Sequence, residues 1–375
     1  MRIVIAIDSF KGSLTSMEAG YAARDGILRA VPNAEIIVRP LADGGEGTTA
    51  ALIEGLGGNI VTAEVTGPLG GKVTAKYGIL NDNTAVMEMA EAAGIALVDR
   101  NKLNPHIATT YGVGEMILDA VRRGCRKFII GIGGSATTDG GVGMLQALDY
   151  EFSDSNGDHI HYGINSLDRI EKIGSDNVIP ELDECHFQIA CDVRNPLCGE
   201  NGAVHVFGFQ KGVKESEKET LDKKMHHYAD KTAEFTRTDN SNAEGAGAAG
   251  GLGFAFLSYM KNAELRPGAE IVLEAVNLES VIKASDIIVT GEGRLDSQTA
   301  MGKAPIGVAR LAKKYGKKVI AFSGSVADDA VKCNEEGIDA FFSILREVTT
   351  LDEAMDKETA KKNLALAAEQ VFRLL

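Results

Sequence analysis

A rhythm present at both ends of the chain, and missing from its middle, most constrains the fold. Residues 3–7 form a short apolar, β-branched run that breaks into a polar turn over 8–13 and then a helical pattern over 16–30 ending at Val31-Pro32. A second run at 35–39 stops at Pro40, and Ala42-Asp43-Gly44-Gly45-Glu46-Gly47 leads into a helix over 48–56 closed by Gly57-Gly58. Two such β-loop-α units in succession predict a parallel sheet. The rhythm returns from 286, with strands near 286–290, 317–322 and 340–344, helices near 303–315 and 328–336, and a closing helix over 358–375.

The middle reads differently. Residues 60–66 and 72–80 pair as antiparallel strands across Gly67-Pro68-Leu69-Gly70-Gly71, 84–89 forms another strand, and a helix covers 110–123. A buried strand at 127–130 feeds a glycine-rich stretch at 131–141, a strand follows at 186–191, and a charged, solvated helical segment lies around 214–236. Five βα strands broken by a mixed region predict an α/β fold: a flavodoxin-like parallel-sheet domain over 1–63 and 276–375, interrupted by an inserted mixed α/β domain over 64–275. A chain of 375 residues is long enough for two cores.

Composition narrows the partners. The formal charge is −14 with no run of Lys or Arg, which repels phosphate backbones and anionic lipid surfaces, so neither nucleic acid nor membrane is expected. Five cysteines with no C-x-x-C pair read as reduced thiols, and with no signal segment or apolar span the expected compartment is the cytoplasm. The assembly is left open between monomer and homodimer. An anionic substrate would need a local cluster of Lys, Arg and backbone N–H groups to overcome the overall charge.

Ligands of open parallel sheets bind outside the carboxyl ends of the strands. The three loops expected there read Asp8-Ser9-Phe10-Lys11-Gly12-Ser13, Ala42-Asp43-Gly44-Gly45-Glu46-Gly47-Thr48, and Thr290-Gly291-Glu292-Gly293-Arg294-Leu295-Asp296-Ser297-Gln298-Thr299 followed by Gly302-Lys303. Glycine lets backbone approach an anion, and a following helix N-terminus offers unpaired N–H groups. The same residue types also serve simply to turn the chain and cap a helix.

Gly131-x-Gly133-x-x-Ala136 matches the dinucleotide fingerprint, but it lies mid-chain and continues into Ser-Ala-Thr-Thr-Asp, and Gly245 to Gly250 follows no strand. No G-x-x-x-x-G-K-[ST] occurs, since Gly302-Lys303 is followed by Ala304. A nucleotide site must therefore be of another design, with Gly133, Gly134, Ser135, Thr137 and Thr138 the best cradle for a polyphosphate. Asp192, after the strand at 186–191, could hold Mg²⁺, accept a proton, or cap its own turn. No Ser-His-Asp or Cys-His arrangement is readable.

The strings at 8–13, 40–48, 131–141 and 290–299, with Cys191-Asp192-Val193, Asn195-Pro196-Leu197 and Gly250-Gly251-Leu252-Gly253, resemble the type I bacterial glycerate kinases over essentially the whole chain. The resemblance implies phosphorylation of D-glycerate by ATP and Mg²⁺, most often at the 2-hydroxyl, in sugar-acid catabolism. It also implies a flavodoxin-like domain with an insertion. One departure stands out: Asp149-Tyr150 replaces the usual Gly-Tyr, and Asp tolerates a positive φ moderately well.

On this basis Lys11 and Arg294 are expected at the substrate carboxylate or the transferring phosphoryl. Asp43 or Asp192 is expected to be the base, with Asp192 on the metal otherwise. Ser9, Gly44, Glu292 and Asp296 are expected around the substrate, and Ser135, Thr137, Thr138 and Lys303 on ATP, in a cleft between the domains. Two rival readings are an NAD-dependent hydroxy-acid oxidoreductase and a non-catalytic sugar-acid sensor.

Overall fold

The computed structural model describes residues 1–375. In chain order its strands are β1 (Arg2–Ile7), β2 (Glu35–Pro40), β3 (Gly58–Thr66), β4 (Lys72–Leu80), β5 (Thr84–Glu88), β6 (Lys127–Gly131), β7 (Glu151–Ser153), β8 (Lys172–Gly174), β9 (His186–Ala190), β10 (Ala263–Arg266), β11 (Ile287–Leu295), β12 (Lys318–Val326) and β13 (Ala340–Ser343). The chain divides into two compact units, one of residues 1–43, 50–57 and 269–375 and the other of residues 44–49 and 58–268.

The first unit holds a five-stranded sheet in the order β13-β12-β11-β1-β2, every pairing parallel. Counted along the unit this is the 2-1-3-4-5 order of flavodoxin-like folds. Pro40, which cannot donate to a ladder, ends β2 at the sheet edge, where that loss is tolerated. Ile3, Ile5, Ile7, Val289, Ile320 and Phe322 pack with Ala19, Ala23 and Ile27 of helix Ser16–Ala30 and with Leu364, Ala368 and Phe372 of helix Lys357–Phe372. Each fully buried Ile or Phe contributes roughly 1.5–3 kcal/mol.

The second unit is built on a mixed six-stranded sheet in the order β10-β9-β6-β5-β4-β3. The four strands from β10 to β5 run parallel, and the hairpin β3–β4 closes one side antiparallel. Its core centres on Phe128, Ile130, Phe187, Ile189 and Phe256, with the rings of Phe128 and Phe187 stacked 4.8 Å apart. No helix in the chain is long and apolar enough to cross a membrane.

Three features differ from the sequence reading. β3 begins at Gly58 and pairs with β4 along its whole length, so 58–63 belongs with the second unit, not the first. The segment read as the third loop is largely strand: β11 continues through Gly291-Glu292-Gly293-Arg294 to Leu295, with Glu292 and Arg294 in register with Ser323 and Ser325 of β12. Helix Lys218–Thr236 is not merely solvated, because Leu221, Met225, Tyr228 and Thr232 bury one face while His227 Nε2 lies 2.8 Å from the Ile170 carbonyl.

Asp149 adopts the left-handed conformation that Asp tolerates moderately well. It follows helix Val142–Ala147 with φ 66°, and the N–H groups of Asp149 and Tyr150 donate back to the carbonyls of Gln146 (3.2 Å) and Leu145 (3.0 Å), closing the helix in a Schellman turn.

Candidate active site

In the first unit the carboxyl ends of the neighbouring strands β2, β1 and β11 bring together Asp43, Asp8 and Glu292. Asp8 is buried, and its Oδ1 accepts the Ser9 N–H at 2.6 Å. Burial first, then the charges of Asp43 and Glu292, push its carboxyl up to about 7, against the opposing pull of the Ser9 N–H and of Lys11. Glu292, also buried, is raised chiefly by its burial. Its Oε1 accepts the Thr299 hydroxyl at 2.6 Å, and Lys303 Nζ lies 3.8 Å from Oε2. Lys11 and Arg294 are exposed, the latter 3.4 Å from Asp296.

The helix termini beside these loops are not open anion sites. Thr15 caps helix Ser16–Ala30 through the Glu18 N–H, and Asp296 accepts the N–H groups of Gln298 and Thr299. In the second unit Glu88, at the end of β5, accepts the N–H groups of Gly47 (3.1 Å) and Thr49 (2.9 Å) where helix Thr48–Leu56 begins. A carboxylate of the protein itself thus occupies the place an anionic ligand would take. Burial raises the Glu88 carboxyl above its ordinary range. Helix Ala304–Lys314 is the exception, starting at Lys303 with no side-chain cap.

The glycine-rich stretch of the second unit leaves β6 and turns with Gly134 at φ 73°. Gly133 and Gly134 are exposed, and a Cβ at Gly133 would meet nothing within 4 Å, so its backbone faces open space. Ser135, Thr137 and Thr138 are buried, and the Thr137 and Thr138 hydroxyls have no protein partner. Asp139 is held by the Thr110 N–H and hydroxyl, both 2.8 Å, and by the N–H groups of Gly141 and Gly143, both 3.2 Å. Beneath lies Lys211, whose Nζ donates to Ser135 Oγ and to the Thr137 carbonyl, both 2.7 Å. Gly250 backs the loop: its φ is 69°, a Cβ there would collide with the Thr137 carbonyl oxygen, and its own carbonyl accepts the Gly140 N–H.

Asp192, just past β9, is exposed and accepts the Gly268 N–H on Oδ1 at 3.1 Å. Gly44 is buried, its φ 86°, with Ala190 and Gly268 so near that any side chain would strike them. No group of three or more His, Cys, Asp or Glu could hold a metal ion by protein ligands alone. An exposed hard-oxygen ligand such as Asp192 suits Mg²⁺, which commonly takes one or two carboxylates and completes its shell with phosphate oxygens and water. The sequence assigned no role to Asp8, Glu88 or Lys211. Asp8 was legible as the residue ending an apolar strand, whereas nothing near Lys211 marks it.

Comparison with known proteins places this architecture. The glycerate kinase family model matches residues 3–375. The chain belongs to the glycerate kinase family. It is 47% identical to glycerate 2-kinase of Escherichia coli K12, covering 100% of this chain and 98% of that one. It is 43% identical to a glycerate kinase of Halalkalibacterium halodurans, covering 98% of each. A crystal structure assigned to glycerate kinase 2 of Salmonella typhimurium LT2 superposes with a TM-score of 0.92 at 42% identity, covering 100% of this chain and 98% of that one. As a member of this family the chain is an enzyme, and the fold class expected from the sequence is the one observed.

Proposed function

We propose that the chain transfers the γ-phosphoryl group of ATP to D-glycerate, giving ADP and 2-phosphoglycerate, as one step in the breakdown of sugar acids or other organic acids. The name of the Escherichia coli relative supports the position of transfer. The observation that carries the chemistry is Asp8, a buried carboxyl raised to about 7 by its burial and its acidic neighbours. A base poised near the operating pH can take the hydroxyl proton as the substrate oxygen attacks phosphorus and the bond to the ADP oxygen breaks.

Around that step, Lys11 and Arg294 neutralise the glycerate carboxylate or the transferring phosphoryl, and Ser9, Asp43, Gly44, Glu292 and Asp296 surround the substrate. Asp8 takes the role of base in preference to Asp43 or Asp192. Gly133 and Gly134 approach the nucleotide phosphates through backbone N–H groups. Ser135 stands close behind, Lys303 adds charge at an uncapped helix start, and the buried Thr137 and Thr138 hydroxyls, which have no protein partner, complete the cradle. Asp192 would hold Mg²⁺, which when bound would supply positive charge to offset that developing on the phosphoryl group.

A coupled assay of ADP release with D-glycerate, with the product resolved by NMR, tests the reading. Formation of 2-phosphoglycerate is expected. Turnover with a different hydroxy acid and none with D-glycerate would retain the chemistry and discard the substrate.

A further inference from the structure

A lysine buried without a carboxylate partner is costly, and the second unit contains one. Lys211 ends the short turn Phe209–Lys211 and is only 2% exposed. Both of its acceptors, Ser135 Oγ and the Thr137 carbonyl, are neutral oxygens. The titratable group that acts on it is Asp139, whose carboxylate is already engaged by four donors. A buried cation in this setting calls for a compensating anion. The loop it props up, Gly133-Gly134-Ser135, is the one read above as the cradle for nucleotide phosphates, and the following inference rests on that reading.

We propose that Lys211 is a positioning residue for the nucleotide: from beneath, its ammonium fixes the shape of the loop 133–138, turns the Ser135 hydroxyl outward as a donor, and supplies the positive charge that a bound polyphosphate balances. By accepting from Lys211, Ser135 Oγ leaves its own hydrogen free to donate to a phosphate oxygen. Burial draws the Lys211 ammonium down to about 7, with Asp139 resisting. A bound polyanion favours the charged form, so filling the loop near pH 7.5 draws a proton onto Lys211.

Calorimetry with adenylyl imidodiphosphate and Mg²⁺, in buffers of differing ionisation enthalpy, reads both affinity and proton uptake. Expected is net proton uptake by the wild type near pH 7.5. In Lys211→Met the uptake should vanish and Kd for the nucleotide rise about 10- to 100-fold, with KM for D-glycerate moving less than about 3-fold. Ser135→Ala should weaken the nucleotide in the same sense, and the double variant should lose less than the sum of the two.

A folded Lys211→Met with unchanged nucleotide affinity overturns the proposal. So does equal weakening of nucleotide and glycerate together with a fall in Tm, which marks a merely structural role. Should Lys211→Met fail to fold, absence of proton uptake by the wild type, or unchanged affinity in Ser135→Ala, overturns it instead. Gly134→Ala, strained at φ 73°, separates the two levels: if it weakens the nucleotide while Lys211→Met does not, the loop reading stands and Lys211 falls. If neither variant weakens it, the loop is not the phosphate site.

Discussion

The two units bury charge in opposite ways. At the strand ends of the first, Asp8 sits among like charges, and burial and repulsion together push its carboxyl from its ordinary 3.8 to about 7. Under the glycine-rich loop of the second, Lys211 is opposed only by its burial and supported by Asp139, and its ammonium comes down from 10.5 to about 7. In the roles proposed above, the carboxyl exchanges a proton and the ammonium balances an anion. Both arrangements cost stability in the empty protein. The Asp8 cost grows as pH rises from about 4 to 7, because the unfolded chain ionises first. The Lys211 cost grows as pH falls from about 10.5 to 7, because the unfolded chain protonates first. Near neutrality both are at full strength, as expected of functional groups rather than of a core selected for stability.

Replacing Asp8 with Asn separates activity from stability most sharply. Steady-state assays should show kcat lower by at least about 10³-fold, while thermal unfolding at pH 8 shows the variant more stable, by on the order of 1–3 kcal/mol. That gain should disappear at pH 4, where the wild-type carboxyl is protonated too. A variant as active as the wild type would remove Asp8 from the chemistry. Next in size, Lys11→Ala and Asp192→Asn should each lower kcat by at least about 10²-fold, and full activity in both would refute their roles.

The pH profile sharpens the contrast further. The base must be ionised, so kcat/KM should rise with pH through about 7. Asp43→Asn removes a charge that raises Asp8 and should move that limb to lower pH, whatever it does to the maximal rate. An unmoved limb would assign it to another group.

Smaller effects test the scaffold. Glu88→Gln weakens the cap on Gly47 and Thr49 and should lower stability by about 1 kcal/mol, read by denaturant unfolding. Smallest of all, Asp149→Gly should stabilise by no more than about 1 kcal/mol, since Gly adopts the left-handed turn at no steric cost.

Much of the fold was legible because local chemistry marks it. β-branched runs, Pro40, Gly57-Gly58 and the loops after each strand announce βα units without reference to anything distant, and the long motif strings announce the family. The same locality misled where a partner came from far along the chain. Helix Thr48–Leu56 looked like an open anion site because nothing in 42–48 reveals that Glu88, some forty residues on, fills its N-terminus. Nor does anything in 131–141 reveal that Thr137 and Thr138 are buried or that Gly250, over a hundred residues on, packs against their backbone.

By itself, then, the sequence determined the parallel-sheet frame, the insertion, the family and the loops where chemistry could occur, since each depends on residues close together in the chain. Tertiary structure alone decided which of those loops remain open and what stands behind them. It decided how far the Asp8 carboxyl is raised, through its burial and because Asp43 and Glu292 reach it only through the 2-1-3 order of neighbouring strands. It decided as well that Lys211, more than seventy residues beyond the loop it supports, is buried beneath Ser135. Burial and charge act through space, and neither is written in the spacing of residues along the chain.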